Sequence, residues 1–197
     1  MRLLVIRHGE SEADILHVHE GRADFELTER GHRQAEAMSV YVAEHYKVDR
    51  IWHSTLKRAA QTARYLADKT GAPLIPDEQL MEFGNGLLAG LPYAEAAERY
   101  PDVNVPAHRS VYEQESRLMF RYRAETMLSM LLSENNDDMT VAAVTHGGMI
   151  GQLYRAFLRL PYDIDYSFWS GDACIHEWLT DGEKRTVVRA NFCPHNI

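Results

Sequence analysis

One pattern, present twice, constrains this chain more than any other. Leu3-Leu4-Val5-Ile6 is an apolar run of strand length that ends in Arg7-His8-Gly9-Glu10. Thr140-Val141-Ala142-Ala143-Val144 is another, and it ends in Thr145-His146-Gly147-Gly148. A continuous apolar run closed by polar residues and glycine reads as a strand buried on both faces, which belongs in a parallel sheet covered by helices on each side. In open sheets of that kind, ligands bind at the carboxyl ends of the strands. The pattern therefore brings two histidines to one functional edge, each followed by a glycine that lets backbone N–H groups approach an anion. A single histidine at a strand end is ordinarily a structural residue; a matched pair reads as a site.

The rest of the chain supplies the layers. Thr28 reads as the N-cap of a helix running to about residue 46, with Ala35, Met38, Val42 and Tyr46 on its apolar face. Residues 50–53 form a short strand, after which Ser54 or Thr55 caps a second helix with Leu56, Ala59, Ala60, Ala63, Leu66 and Ala67 facing inward. Leu74-Ile75 resumes as a strand, and the polar, aperiodic stretch 10–26 reads as a loop. Glycine and proline are dense over 83–110, which marks an irregular insertion carrying one short helix at 93–100. A helix at about 113–133 points Phe120, Ala124, Met127, Leu128 and Leu131 inward, and one after His146 does the same with Ile150, Leu153, Tyr154, Phe157 and Leu158. Segments 172–180 and 184–191 flank Asp181-Gly182, a hairpin-turn dipeptide. Strands alternating with helices predict a single α/β domain over 1–197, with a mostly parallel sheet and helices on both faces.

Arg7 directly precedes His8, and Arg58 lies in the first turn of the helix after another short strand. Two histidines and two arginines at one edge suit a phosphoryl group. The chain as a whole is acidic: 21 Lys and Arg stand against 29 Asp and Glu, a net charge of −8. That balance argues against nucleic acid as a partner. No apolar run approaches the roughly 20 residues that span a bilayer, and the N-terminal run is too short for a signal-peptide core, so a cytoplasmic location is expected. Cys174 and Cys193 form no CxxC pair and read as reduced thiols. His17 and His19 lack partners at metal-ligand spacing, and no metal is expected.

These residues resemble the histidine phosphatase superfamily, in its phosphoglycerate mutase-like branch. Arg7-His8-Gly9-Glu10-Ser11 is similar to the RHGE signature. The likeness continues through Leu27-Thr28-Glu29-Arg30-Gly31 with Gln34-Ala35, Ser54-Thr55-Leu56-Lys57-Arg58-Ala59 with Gln61-Thr62-Ala63, and Glu82. It extends through Tyr93-Ala94-Glu95 with Arg99-Tyr100-Pro101, Glu115-Ser116 with Arg123, and Thr145-His146-Gly147-Gly148. The resemblance implies a three-layer fold with a small cap at about 83–123, and a phosphohistidine mechanism without metal or cofactor. His8 would attack phosphorus, and Arg7, Arg58, His146 and Gly147 would hold the phosphoryl oxygens. Glu82 would protonate the leaving oxygen and later activate water. The residues support this independently: an unperturbed imidazole is about three quarters neutral at pH 7, and adjacent arginines increase that fraction. Within the cap, His108, Arg109, Tyr112, Arg117, Arg121 and Tyr122 form a pool that could read a leaving group. His32, His45, His53, His176 and His195 read as structural by default; of these His195, with Asn191, matches residues the family often carries near this edge.

Two departures stand out. The family usually has Asn where this chain has Asp14, and Gln where it has Glu20, both as hydrogen-bond donors to phosphate. An ionised carboxylate cannot donate. A like charge ~4 Å away costs on the order of 4 kcal/mol at a partly screened dielectric. Both carboxylates are expected to turn onto arginines or away from the site, with Arg22 as an available partner. Leu88-Ala89 replaces the Trp-Glu that often precedes the glycine at position 90, which makes that loop more apolar. The reading is a phosphatase acting on a small phosphorylated metabolite. Its alternatives are a mutase, for which 197 residues leave little room in the middle, and a catalytically weak phospho-ligand binding or regulatory protein.

Overall fold

The computed structural model describes residues 1–163 and 166–196. Six strands, β1 (Arg2–Arg7), β2 (Arg50–His53), β3 (Leu74–Pro76), β4 (Thr140–Thr145), β5 (Ile175–Asp181) and β6 (Lys184–Phe192), form one sheet in the order β3-β2-β4-β1-β5-β6. The first four in that order run parallel, and the β5–β6 hairpin completes the sheet antiparallel to β1. Period-two alternation along β1 divides the core. Leu3 and Val5 face one side, with Met127, Leu128 and Leu131 of α5 (Arg117–Ser133) and Ile150, Leu153 and Phe157 of α6 (Gly147–Phe157). Leu4 and Ile6 face the other, with Met38 and Val42 of α2 (Glu29–His45) and Ala59, Ala63 and Leu66 of α3 (Lys57–Thr70). The result is the three-layer α/β arrangement with a mostly parallel sheet.

Several elements differ from the sequence reading. The stretch taken as loop contains a short helix, α1 (Glu12–Leu16), closed at its start by the Asp14 carboxylate accepting from Ser11 N at 2.9 Å. Helix α5 begins at Arg117 instead of 113, because Tyr112 and Glu113 hold φ of 53° and 59° and cannot join a helix. Ser116 caps it, accepting from Met119 N at 3.1 Å. Leu56 occupies the N-cap position of α3, without a side-chain bond, in place of Ser54 or Thr55. Leu158 lies beyond the end of α6 and is exposed, not inward. Cys174 and Cys193 are bonded to each other instead of standing as separate thiols, because the hairpin brings the ends of β5 and β6 together at a Cα separation of 4.3 Å. Between β3 and α5 the chain leaves the sheet; it carries only two 3₁₀ turns and α4 (Tyr93–Arg99).

The exit of β1 is clamped onto the start of α2. Thr28 donates through Oγ1 to Glu10 at 2.7 Å and caps α2 by accepting from Gly31 N at 2.9 Å, while Glu10 N donates to Gln34 at 2.8 Å. The backbones meet so closely that a Cβ on Gly31 would lie 2.0 Å from the Glu10 carbonyl oxygen, and one on Gly9 would lie 2.4 Å from the Gly31 oxygen. These motif residues hold the loop that follows the strand. Gly31→Ala should therefore cost roughly 1–3 kcal/mol by overpacking against backbone that cannot yield, read as a lowered midpoint in urea denaturation; an unchanged midpoint would contradict this packing.

Candidate active site

Strand register sets the site. Arg7 pairs with Thr145, His8 N donates to Thr145 O at 3.0 Å, and Ser54 N donates to Val144 O at 3.0 Å. The ends of β1, β4 and β2 are thus level, and the His8 and His146 rings sit 5.0 Å apart. His8 Nδ1 lies 2.7 Å from the Gly9 carbonyl oxygen. A carbonyl can only accept, so Nδ1 carries the proton and Nε2 keeps a lone pair. Arg58 Nε donates to that Nε2 at 3.3 Å. Burial, then the charges of Arg58 and Arg7, push the His8 imidazole well below 6.5, so it stands neutral and nucleophilic.

The second histidine is arranged as a donor. His146 Nε2 lies 2.8 Å from Ser54 Oγ, and that oxygen already accepts from Leu56 N at 3.3 Å. Ser54 Oγ has its own proton free to give to His146 Nε2, and in that tautomer the ring proton sits on Nδ1, a buried atom with no partner among the described residues. Burial, followed by the charges of Arg58, His8 and Arg7, holds this ring well below 6.5 too. Arg7 gives NH1 to Ser170 O at 2.7 Å and NH2 to Asp172 at 3.2 Å, leaving Nε buried and unpartnered among the described residues. Gly147 opens α6 beside it, where helix N–H groups have no partner in the helix itself. Free donors from Arg7, His146 and a helix N-terminus near a neutral imidazole lone pair are chemically suited to hold an anion against a nucleophile.

A family model described as "Histidine phosphatase superfamily (branch 1)" matches residues 3–192. The chain belongs to the histidine phosphatase superfamily. It is similar to Phosphoserine phosphatase 1 of Hydrogenobacter thermophilus, with 24% identity over 99% of this chain and 94% of that protein. It is also similar to the glucosyl-3-phosphoglycerate phosphatase of Mycolicibacterium vanbaalenii, with 30% identity over 82% of this chain and 76% of the other. The solved structure of a mycobacterial glucosyl-3-phosphoglycerate phosphatase with VO3 superposes with a TM-score of 0.83 at 27% identity, covering 97% of this chain and 98% of that one.

The superfamily landmarks outside the strand ends brace one carboxylate. Glu82 accepts from Gly148 N at 2.8 Å and from Phe83 N at 2.7 Å. A Cβ on Gly148 would lie 2.3 Å from Glu82 Oε1, so the second glycine of the motif makes room for this contact. Arg123 donates to the Gln79 and Glu82 carbonyl oxygens at 2.7 and 3.0 Å and pairs with Glu115 at 2.8 Å. Burial works against the Glu115 charge, but Arg123, the Gly84 N–H and Arg22 together more than offset it and the carboxyl is held low. Arg22 also turns here, to Glu115 at 3.4 Å and the Glu82 carbonyl, and not to Asp14 or Glu20 as the sequence suggested.

The two anomalous carboxylates part company. Asp14 caps its own helix at Ser11. Glu20 turns into the site: Oε1 lies 3.1 Å from Arg58 Nε, Oε2 lies 3.7 Å from His8 Nε2, and Ser11 Oγ donates to it. His108 and Arg109 are exposed and line surface cavities of the segment between β3 and α5, the former with Arg22 and Arg123, the latter with Tyr100 and Arg117. Asn191 accepts from Gly171 N at 2.7 Å and so supports the loop that holds Arg7. His195 is pushed below 6.5 by burial, with Asp172 opposing. Sequence reasoning missed Ser54, Ser170 and Asp172. Only Ser54 carried a signal: it ends a strand just as His8 and His146 do, but a serine before a helix reads first as a cap. Ser54→Ala should cost roughly two- to tenfold in catalytic efficiency, the worth of a net hydrogen bond of about 0.5–1.5 kcal/mol, and should shift the His146 ring toward the other tautomer in 15N NMR. Unchanged ring shifts would refute the assigned role.

Proposed function

We propose that this chain hydrolyses small phosphomonoesters through a phosphohistidine on His8. The observation that carries the reading is the His8 Nε2 lone pair, held neutral by burial and two guanidinium groups, at the centre of unpartnered anion donors. A substrate phosphate would rest on Arg7 Nε, Arg58, His146 Nδ1 and the N–H groups at Gly147. Nε2 attacks phosphorus, the ester P–O bond breaks, and Glu82 gives its proton to the departing oxygen. Water then attacks the phosphohistidine, Glu82 takes the proton from that water, the P–N bond breaks, and His8 is restored as the neutral ring. The side chains supply the positioning and charge that phosphoryl transfer asks of a protein, and no step needs a metal or cofactor.

A relative named as a phosphatase aligns along 99% of the chain and another along 82%, which favours hydrolysis over the mutase alternative. The names phosphoserine and glucosyl-3-phosphoglycerate phosphatase support a small phosphorylated metabolite as substrate. The irregular segment within 83–123 is the natural cap, and His108 and Arg109 are its candidate leaving-group contacts. The acidic surface disfavours nucleic acid. No helix among the described residues is long and apolar enough to cross a membrane.

Incubation with an aryl phosphate in the presence of EDTA tests the reading. The wild type should release phosphate and carry an acid-labile phosphoryl group, and His8→Ala should do neither. Because the neutral ring is the nucleophile and its protonation lies well below 6.5, lowering the pH through 6.5 should not by itself silence His8. Retained turnover in His8→Ala would overturn the mechanism.

A further inference from the structure

The reading above leaves one group at the centre of the site without a task. Glu20 Oε2 stands 3.7 Å from the nucleophilic Nε2, and Oε1 stands 3.1 Å from Arg58 Nε. A phosphorus poised for attack must lie about 3–3.5 Å from that nitrogen, which is space this carboxylate fills. The groups behind it are sealed: His8 is 1% exposed and Arg58 and His146 are 0%, whereas the Glu20 side chain retains 18%. Glu20 therefore lies on the solvent side of the nucleophile. Its partners, the guanidinium of Arg58 and the Ser11 hydroxyl, are donors of the kind a phosphoryl oxygen would use.

We propose that Glu20 is an internal anion that occupies the phosphoryl position in the free protein and must be displaced or protonated for a phosphate to bind. The proposal rests on the phosphohistidine reading of the same pocket. The groups that face Glu20 are Arg58 from α3, His8 and Arg7 from the end of β1, and Ser11 and Asp14 from the start of α1. Burial raises the Glu20 carboxyl above its ordinary value, with Arg58 and Ser11 opposing and Asp14 adding to the rise. An incoming phosphate dianion adds negative charge beside it and raises it further. Phosphate binding is thus coupled to proton uptake. The sign follows: affinity is highest below the free-state value, then falls by up to tenfold per pH unit until the value in the complex is passed. Burial of the carboxylate against a buried arginine makes the exchange selective for a ligand able to take the carboxylate's place beside Arg58, which a tetrahedral anion does and a neutral molecule does not.

Glu20→Gln keeps the shape and the Ser11 and Arg58 contacts while removing the charge. Inorganic phosphate and vanadate binding to wild type and variant, measured by calorimetry from pH 5 to 8 in buffers of different ionisation enthalpy, gives the decisive comparison. Phosphate titrates identically against both proteins, so the ratio of affinities isolates Glu20. The variant-to-wild-type ratio should rise with pH to tenfold or more, and the wild type should take up more protons on binding than the variant. A constant ratio near one, equal proton uptake, or weaker binding by the variant at all pH values would overturn the assignment. Glu20→Ala, checked for an unchanged thermal midpoint, should show the same trend and guards against an effect peculiar to glutamine. Aryl phosphate turnover is followed in parallel. Absence of turnover in both proteins would overturn the phosphohistidine reading, whereas turnover with a pH-independent ratio would overturn only the role given to Glu20.

Discussion

The arrangement depends on a guanidinium that has been taken out of water. Arg58 is wholly buried in a protein of net charge −8, and an unpaired charge in that position would cost several kcal/mol. Its partners are specific. NH1 donates to Ala23 O at 2.9 Å, NH2 donates to Gly21 O at 2.8 Å, and Nε meets His8 and Glu20. The loop after α1 therefore cannot fold without the arginine, and the arginine cannot be buried without the loop. Lys57 N donates to Asp24 at 2.7 Å, tying the start of α3 to the same loop. His8, Arg58 and the segment covering them form one mutually dependent unit.

Arg7 is handled in the same way. Both of its terminal nitrogens are spent on the protein, at Ser170 O and Asp172, and its Nε is left free beside Gly147. The chain thus uses the fork of each guanidinium for fixation and keeps Nε for the site. This accounts for how an acidic molecule can bind an anion. The positive potential does not depend on the surface; it comes from two fixed nitrogens, a ring N–H and a helix terminus within one desolvated volume. The loop that restrains Arg7 is itself held by Asn191 and by the Cys174–Cys193 bond at the base of the hairpin. The antiparallel edge of the sheet consequently supports the chemistry without contributing to it.

What could be read from the sequence was whatever local pattern dictates. The two apolar runs fixed the strand ends, and with them the level at which His8 and His146 meet, because parallel register transmits strand position across the sheet. Helical spacing similarly identified Ala35, Met38 and Val42 as buried. Whatever depended on tertiary partners was not legible. Asp14 reads as a misplaced phosphate ligand in the chain but is an ordinary cap, and α1 was hidden because a five-residue helix has no period to detect. The start of α5 moved because left-handed backbone at Tyr112 and Glu113 has no glycine to announce it. Ser54 was assigned to a helix N-terminus when its hydroxyl meets His146 Nε2 across the sheet. The two cysteines lie 19 residues apart and become neighbours only through the hairpin.

The two carboxylates nearest the nucleophile show why residue type alone does not define a role. Glu82 rests on the Gly148 N–H at the start of α6 and on the Phe83 N–H, and its backbone is braced by Arg123. A carboxylate held by main-chain donors outside the phosphoryl position can remain in place throughout a reaction and exchange a proton with the leaving oxygen or with water. Glu20 has the opposite circumstances. It is held by Arg58, the same group a phosphate requires, and it stands within van der Waals reach of Nε2. A dianion and that carboxylate cannot share one guanidinium without strong mutual repulsion. The first carboxylate can assist phosphoryl transfer only by staying, and the second only by giving up its place or its charge.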